Sequence, residues 1–425
     1  MFEFRMFYPR WLAVGAVVLL SASCGDEDGL VTPTDQADHR ISITNDEGAL
    51  SARVSYPEAP VVVEPPSEGQ FAAPGRTISL AAQADPLELT LIAEVNPPTI
   101  DGTLVQATSV AIKGLDNAMV SYNMVGAPRL GGIDWITKLT RNRPAISASA
   151  AFNDTDVSAL SMEGNFVYAA ASTEPLEFPA PAVLERLKLR GNKFVLEDNL
   201  QVPLTSYVGT SSLVTNGEVY ATSGDGGGIF AFDRNDLSLL GSYPLDDARW
   251  VTWDEEGGRI VVAQGTPGRL AVFAAGGSLT APVVIDFDGA DVPESKSTVE
   301  VLGGKAFIAA GPQGVQIVCL DDGSVLGSVP IPDPALLGLD PSVVVTNAVT
   351  VDEDVMFISN GEAGVYVARA DEDFESSGCA QQQMTMLGKL RFDDLQSANH
   401  VSFKNQWLVV AAGLGGVKVV KVEGL

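Results

Sequence analysis

A short motif recurs seven times along this chain of 425 residues. In each copy an apolar run ends in Ala or Ser, and a glycine-rich turn and a second apolar run follow. The small residues that end the first runs are Ser121, Ala169, Ala221, Ala263, Ala309, Ser359 and Ala411. Their spacing of 42 to 52 residues indicates a four-stranded propeller blade rather than a helical repeat.

The fifth copy shows how one repeat divides into strands. Residues 298–304 are predicted as the first strand and its turn, 305–309 as the second strand, 315–319 as the third and 323–329 as the fourth. Alternating apolar residues and many β-branched side chains favour strands over helices. One blade cannot bury both of its faces, but seven blades around an axis can. The sequence therefore predicts an all-β fold, a seven-bladed β-propeller of four-stranded antiparallel blades.

The two ends of the chain bear on ring closure. The last repeat, residues 399–422, contains only three strand patterns, so its blade lacks one partner. Residues 87–95, upstream of the first repeat, have the pattern of a strand that belongs to no blade. We expect this N-terminal strand to close the ring, which makes residues 87–425 one domain. The alternative is that it belongs to the preceding linker.

Two segments resemble a known family. Residues 304–318 and 405–420 are similar to the LVIVD repeats of bacterial surface lipoproteins with a β-propeller, and the resemblance is strongest from Ser212 onward. An aspartate that often follows the third strand in that family is present as Asp233, although other residues occupy several equivalent positions. The resemblance implies a propeller and an extracytoplasmic location. It supplies no catalytic residues.

The N-terminus predicts export and lipid attachment. Residues 1–23 carry Arg5 and Arg10 before an apolar core at 11–20, which is too short to span a bilayer and suits a secretory signal. Small residues then lead to Cys24, so residues 1–23 resemble a lipoprotein signal peptide with Cys24 as the acylated residue. A plain signal peptide and an unmodified cysteine are the alternative. Acyl chains on Cys24 would hold the protein stably at a membrane.

The segment that follows is predicted to be a tether. Residues 24–86 are rich in Pro and acidic residues and contain little from which to build a core, with one or two short strands expected between Ile41 and Val63. Residues 25–28, Gly-Asp-Glu-Asp, resemble the signal that sends some lipoproteins to the outer face of the outer membrane, and a solvated linker is the alternative. We therefore expect an outer-membrane lipoprotein that faces the cell exterior.

The charge balance limits the partners. The chain has 26 basic and 54 acidic residues and a net charge of -28, which repels nucleic acid and anionic headgroups. Solubility or a salty habitat would also explain an acidic excess. Acidic residues recur in the connections between blades, so we expect a negative rim around the channel mouth. The candidate rim residues are Asp154, Asp156, Asp286, Asp288, Asp291, Asp340, Asn347, Asn399 and His400.

Such a rim could bind Ca²⁺ through oxygen ligands, or a basic partner. No stretch has EF-hand spacing, and solvated acidic loops are the alternative to a metal site. Asn347, Asn399 and His400 lie near the starts of first strands. There they either line the channel or bond to the local backbone.

Signals of catalysis are sparse. His39 and His400 are the only histidines, which excludes a histidine cluster for a metal. The chain contains no Gly-x-Ser-x-Gly elbow, Walker loop or zinc cysteine pair. We therefore predict a monomeric binding scaffold, for a protein or a small-molecule ligand, rather than an enzyme. A propeller hydrolase or lyase that acts on a carbohydrate or lactone through rim carboxylates is the alternative.

Two cysteines remain besides Cys24. Cys319 ends the third strand of the fifth repeat, and Cys379 follows the third strand of the sixth. Both are expected on the face opposite the acidic rim, on neighbouring blades. In an oxidising compartment they could form a disulfide, and two free thiols are the alternative.

Overall fold

Short elements precede the blades in this protein. The computed structural model describes residues 40–71, 78–81, 87–174, 178–215, 217–289, 296–393 and 395–424, so the predicted site residues Cys24 and Asp291 lie outside the described residues. The first elements are β1 (Ile41–Thr44), α1 (Glu47–Ser51), β2 (Val54–Ser55), β3 (Ala59–Pro60), β4 (Val63–Glu64), β5 (Ser79–Leu80), β6 (Glu88–Val95), β7 (Thr99–Ile100) and β8 (Thr103–Leu104).

Four antiparallel blades of four strands each follow in chain order. Blade 1 contains β9 (Gln106–Lys113), β10 (Asn117–Asn123), β11 (Gly131–Thr137) and β12 (Ala145–Phe152). Blade 2 contains β13 (Thr155–Glu163), β14 (Phe166–Thr173), β15 (Ala182–Arg190) and β16 (Lys193–Pro203). Blade 3 contains β17 (Gly209–Val214), β18 (Glu218–Ser223), β19 (Gly228–Asp233) and β20 (Leu239–Pro244). Blade 4 contains β21 (Ala248–Asp254), β22 (Arg259–Gln264), β23 (Arg269–Ala274) and β24 (Val283–Asp286).

Three further blades complete the ring. Blade 5 contains β25 (Val299–Leu302), β26 (Lys305–Ala309), β27 (Val315–Cys319) and β28 (Val325–Val329). Blade 6 follows helix α2 (Pro334–Leu337) and contains β29 (Ala348–Asp352), β30 (Val355–Ser359), β31 (Val365–Ala370) and β32 (Met384–Leu390). Blade 7 contains β33 (His400–Lys404), β34 (Trp407–Ala411), β35 (Val417–Glu423) and the earlier strand β6. Within the described ranges, no helix has the length and apolar character needed to cross a membrane.

The central strands are buried because neighbouring blades cover both of their faces. All residues of β26, β27, β30 and β34 are buried. The small repeat residues Ala309, Ser359 and Ala411 are each 0% exposed. One apolar cluster joins Val261 of blade 4 to Ile308 of blade 5. Each blade thus obtains part of its core from the next, which explains why the blades are stable as a ring.

An N-terminal strand closes the ring, as predicted. Strand β6 pairs antiparallel with β35 along its length, from Val95 opposite Val417 to Glu88 opposite Glu423. Ile92 of β6 is buried in a core that also contains residues of blade 1. The seven-bladed all-β propeller closed by this strand is therefore confirmed.

The segment before β6 lies on the propeller over its described residues, 40–71 and 78–81, and we call these residues the N-terminal brace. Strand β1 pairs with β12 as a fifth strand of blade 1, β2 and β3 pair with β6, and β4 and β5 pair with β32. Leu50 and Phe71 are buried in two of the propeller's cores. This packing differs from an extended tether. Backbone pairing with existing blade edges needs few apolar side chains, so composition could not reveal it.

A disulfide joins blades 5 and 6. Cys319 at the end of β27 and Cys379 in the loop after β31 are bonded, with their Cα atoms 5.4 Å apart. The same loop packs on blade 5 through Phe374, whose ring meets that of Phe307 at a centroid distance of 4.9 Å. Buried Lys305 donates a hydrogen bond to the loop, to Ser377 Oγ, at 3.3 Å. The loop and its disulfide therefore connect two neighbouring blades.

Gly416, in the turn between β34 and β35, should be sensitive to substitution. Its φ is +73°, and a Cβ there would overlap the carbonyl oxygen of Val95 in the closing strand. We expect Gly416→Ala to lower the free energy of unfolding by about 2–4 kcal/mol, because a left-handed backbone penalty adds to displacement of β6.

Gly413 in the same turn is the matched control. Its φ is +62°, but the nearest atom to a Cβ would be 3.6 Å away, on a side chain. Gly413→Ala should cost only the backbone penalty of about 1–2 kcal/mol. Denaturant titrations compare the two variants, and equal losses would contradict crowding against the closing strand.

Candidate functional site

Two aromatic side chains, Trp250 and His400, are in contact across the centre of the propeller. Trp250 of β21 pairs with Ala263, and His400 of β33 pairs with Ala411, so the two aromatic residues occupy equivalent positions in blades 4 and 7. Their rings stack with centroids 5.1 Å apart and planes inclined by 30°. Nδ1 of His400 accepts a hydrogen bond of 3.5 Å from the backbone N–H of Val110 in blade 1. These side chains block the central channel at this level.

His400 is buried in its neutral form. Burial, with a smaller contribution from the charge of Lys296, lowers the pKa of His400 to about 3. Between pH 6.5 and pH 5 the unfolded chain binds a proton at this residue and the folded protein does not. Stability contributed by the neutral imidazole is therefore lost as the pH falls below about 6.5.

Between pH 7.5 and pH 5, the free energy of unfolding of the native protein should fall by about 2 kcal/mol more than that of His400→Gln. The measurement is the free energy of unfolding of both proteins at the two pH values. Since glutamine has no proton to bind in this range, its variant should show the weaker pH dependence. The same pH dependence in both proteins would contradict a buried neutral imidazole.

A pocket of about 190 Å³ lies beside this contact, where the innermost strands begin. Blades 1 to 4 and the connections that follow blades 2, 3 and 4 contribute its lining. The described lining residues are Asn123, Ser158, Tyr207, Val208, Thr210, Gly224, Asp247, Arg249, Trp250 and Lys296. Tyr207 is 59% exposed, so the pocket opens to solvent. Trp250 connects the pocket to the blocked channel through its stack on His400.

Lys296 reaches across the pocket from the connection that leads into blade 5. Its ammonium donates a hydrogen bond of 3.5 Å to the backbone oxygen of Ser158 in blade 2. Among the described residues it forms no ion pair with a carboxylate. Burial lowers the pKa of Lys296 to about 7. The pocket therefore contains a desolvated amine without a described counter-charge.

Arg249 is held against the wall of the pocket. Its Nε and Nη2 donate to the two carboxylate oxygens of Asp247 at 2.9 and 2.8 Å, and Nη1 donates to Ser297 Oγ at 3.1 Å. Gly265 of the blade-4 repeat lies against this guanidinium, where a Cβ would overlap it. The repeat glycine at this position therefore leaves space for the Arg249–Asp247 pair.

The predicted rim residues Asp154 and Asp156 bind internal groups. Asp154 forms an ion pair with Arg40 of the N-terminal brace, at 3.3 Å. Asp156 accepts hydrogen bonds of 3.1 Å from the backbone N–H groups of Met124 and Leu130. Burial raises the pKa of Asp156 to about 6. These carboxylates hold the brace and the loop between β10 and β11 on blade 2.

The next three rim candidates also have local partners. Exposed Asp286 pairs with Arg269 at 2.9 Å, and the backbone N–H of Asp288 donates to Gln316 Oε1 at 3.1 Å. Asp340 caps the 3₁₀ turn that follows it, at Pro341–Val343. None of these three residues is part of the described lining of the pocket.

The two predicted asparagines bond to the backbone of the following blade. Asn347 Nδ2 donates to Ala398 O at 3.4 Å, and Asn399 Nδ2 donates to Ala107 O at 2.9 Å. His400 differs, because its ring contacts a lining residue of the pocket.

The residues predicted from sequence do not include the main polar residues of the pocket, Lys296 and Arg249, or the aromatic Trp250. Trp250 was detectable, because it occupies in blade 4 the repeat position that His400 occupies in blade 7. Lys296 had a weaker signal, a lysine in an otherwise acidic connection between blades.

No cluster of three or more His, Cys, Asp or Glu side chains suited to a metal ion occurs within the part of the chain that is described. Asp247 is the one carboxylate of the described pocket lining, and Arg249 binds both of its oxygens. The described geometry thus offers no ligand set for Ca²⁺.

Comparison with known proteins shows the fold. No family model and no curated protein matches the chain. The WD40 β-propeller domain of Doa1 is 9% identical, with a TM-score of 0.50 over 78% of this chain and 97% of that chain. The WD40 repeats of RRP9 are also 9% identical, with a TM-score of 0.51 over 77% of this chain and 98% of that chain. At these identities the similarity establishes a β-propeller and nothing about ligands.

Proposed function

We propose that this protein is a lipid-anchored surface protein whose propeller binds a ligand in the pocket at its channel mouth, without catalysing a reaction. The observation that carries the proposal is the stack of Trp250 on His400, which blocks the channel beside a solvent-open pocket. A blocked ring with a small open pocket suits the capture of a ligand at one face of a rigid scaffold.

Binding is favoured over hydrolysis by the charges around the pocket. A glycosidase-type mechanism needs two carboxylates that flank the scissile bond. The described lining has Asp247 alone, and both of its oxygens accept hydrogen bonds from Arg249. Asp154 and Asp156, two of the candidate rim carboxylates, bind Arg40 and backbone N–H groups.

The surface location is supported by the sequence of residues 1–28. An apolar core of ten residues, small residues before Cys24 and the acidic stretch after it are together typical of an exported lipoprotein. We expect labelled palmitate to be incorporated into the native protein and not into the Cys24→Ser variant. Protease treatment of intact cells should then degrade the propeller. Equal labelling of both proteins would contradict acylation at Cys24.

Ligand binding is tested with a substitution beside the pocket. Gly265→Ala places a methyl group where the Arg249 guanidinium lies and so moves that side chain. Gly217→Ala is the control, since its Cβ would meet no atom within 4 Å. The probes are small sugars, amino acids and carboxylic acids, followed by saturation-transfer NMR.

Compounds that bind in the pocket should lose about tenfold or more in affinity in Gly265→Ala, because the added methyl group displaces Arg249 and so changes the wall of the pocket. Their affinity should be unchanged in Gly217→Ala. If no compound has a lower affinity for Gly265→Ala than for the native protein, the pocket is not a ligand site.

A further inference from the structure

The described lining of the pocket has more basic than acidic residues, whereas the whole chain is strongly acidic. The chain carries a net charge of -28, yet the charged residues of the described pocket lining are Lys296, Arg249 and Asp247. Asp247 is matched by Arg249 through two hydrogen bonds. When protonated, Lys296 therefore leaves the described lining with an excess positive charge.

The other polar groups of the lining include hydrogen-bond donors. Asn123 Oδ1 accepts from Gln106 Nε2 at 3.1 Å, so its amide nitrogen is directed away from that contact. The exposed Tyr207, whose side chain has a hydroxyl group, also belongs to the lining. A ligand with negatively charged oxygens would complement such donors.

The position of Lys296 favours an anion further. Its ammonium is desolvated, and a single hydrogen bond of 3.5 Å to Ser158 O is its described polar contact. A carboxylate placed beside it would stabilise the charged form that burial disfavours. The gain from such a pairing is larger here than at an exposed lysine, because burial desolvates the Lys296 ammonium.

We propose that the pocket takes a small organic anion with a carboxylate group, which Lys296 binds through its ammonium while Arg249 and Asn123 line the same space. The volume of about 190 Å³ is below the roughly 300–1,000 Å³ of clefts for drug-sized ligands, which limits the ligand to metabolite size. One ammonium, beside an Arg249 whose charge Asp247 already matches, suits a carboxylate better than a phosphate, which typically requires several cations or a nest of backbone N–H groups. This inference rests on the proposed binding function.

The test compares anions with neutral compounds of the same shape. The probes are glucuronate against glucose, malate against its diamide and benzoate against benzamide, with affinities measured by titration calorimetry and saturation-transfer NMR. For at least one pair, the native protein should bind the carboxylate about tenfold or more tightly than its neutral counterpart.

Three lysine variants assign this preference to Lys296. Lys296→Met should abolish the preference, and Lys296→Arg should retain it because the charge is kept. Lys193→Met, at an exposed lysine of strand β16, should behave as the native protein. Far-ultraviolet circular dichroism and thermal unfolding verify that each variant is folded.

The outcomes separate the two proposals. Binding that favours the neutral compounds, or an anion preference that survives in Lys296→Met, would overturn the anion site. If those compounds still respond to Gly265→Ala, the binding function stands. If none of the carboxylates binds, the anion site is overturned. If, in addition, no probe loses affinity in Gly265→Ala, the pocket is not a ligand site.

Discussion

Replacing Arg53 with alanine is expected to lower the free energy of unfolding by about 3–5 kcal/mol. The guanidinium of Arg53, in the N-terminal brace, donates to both oxygens of Asp134 at 3.1 and 2.5 Å. Asp134 is 0% exposed and also accepts a hydrogen bond of 2.8 Å from the Tyr122 hydroxyl. Without Arg53, the remaining described partner of the Asp134 carboxylate would be the Tyr122 hydroxyl, which is a neutral donor. The cost of burying its charge would then no longer be offset.

Arg391→Ala is the control for this prediction. Arg391 also attaches the brace to the propeller, through an ion pair with Glu64 at 2.5 Å, but the two side chains are 67% and 42% exposed. Solvent screens such a pair, so its loss should cost at most about 1 kcal/mol. Guanidinium chloride titrations followed by tryptophan fluorescence measure both variants.

A second variant tests the cause of the loss. Arg53→Met combined with Asp134→Asn removes both charges and should be more stable than Arg53→Ala, because no uncompensated carboxylate remains. If Arg53→Ala lost no more stability than Arg391→Ala, the brace would not depend on a buried ion pair.

Loss of the disulfide is the second large effect. Cys319 and Cys379 are 60 residues apart in sequence, and a bridge over a loop of this size stabilises the folded protein by about 4 kcal/mol through restriction of the unfolded chain. We therefore expect Cys319→Ala with Cys379→Ser to unfold at a clearly lower temperature. Alanine suits position 319 because that residue is buried, at 2% exposure.

Reduction provides the control for the disulfide. Dithiothreitol should lower the unfolding temperature of the native protein towards that of the double variant, and it should leave the double variant unchanged. Calorimetry or circular dichroism gives both temperatures. An unchanged unfolding temperature in the double variant would contradict a stabilising role of the bridge.

The architecture was predictable because it depends on local pattern. Ala309, Ser359 and Ala411 mark buried central strands, and alternation along each repeat marks its strands. Ring closure by residues 87–95 was also predictable, since a last repeat with three strands leaves an edge that another strand must pair. These features depend on the period of the chain and on backbone hydrogen bonding.

The N-terminal brace could not be predicted in the same way. Its strands have two to four residues, and they pair with the edges of blades 1, 6 and 7, which are distant in sequence. Arg53 and Asp134 are separated by 81 residues, and no local pattern relates them. Composition alone indicated a tether because the brace shares the core of the propeller and does not form its own.

By itself, the sequence determined a seven-bladed ring and the strand that closes it. Export and lipid attachment at Cys24 stay predictions. Only the tertiary structure brought Lys296, Arg249 and Trp250 into one pocket and placed Asp154 and Asp156 on internal partners. The physical reason is that blade formation follows from neighbouring residues, whereas the pocket collects single side chains from four blades and the connections that follow them. Their mutual distances depend on the closure of the ring.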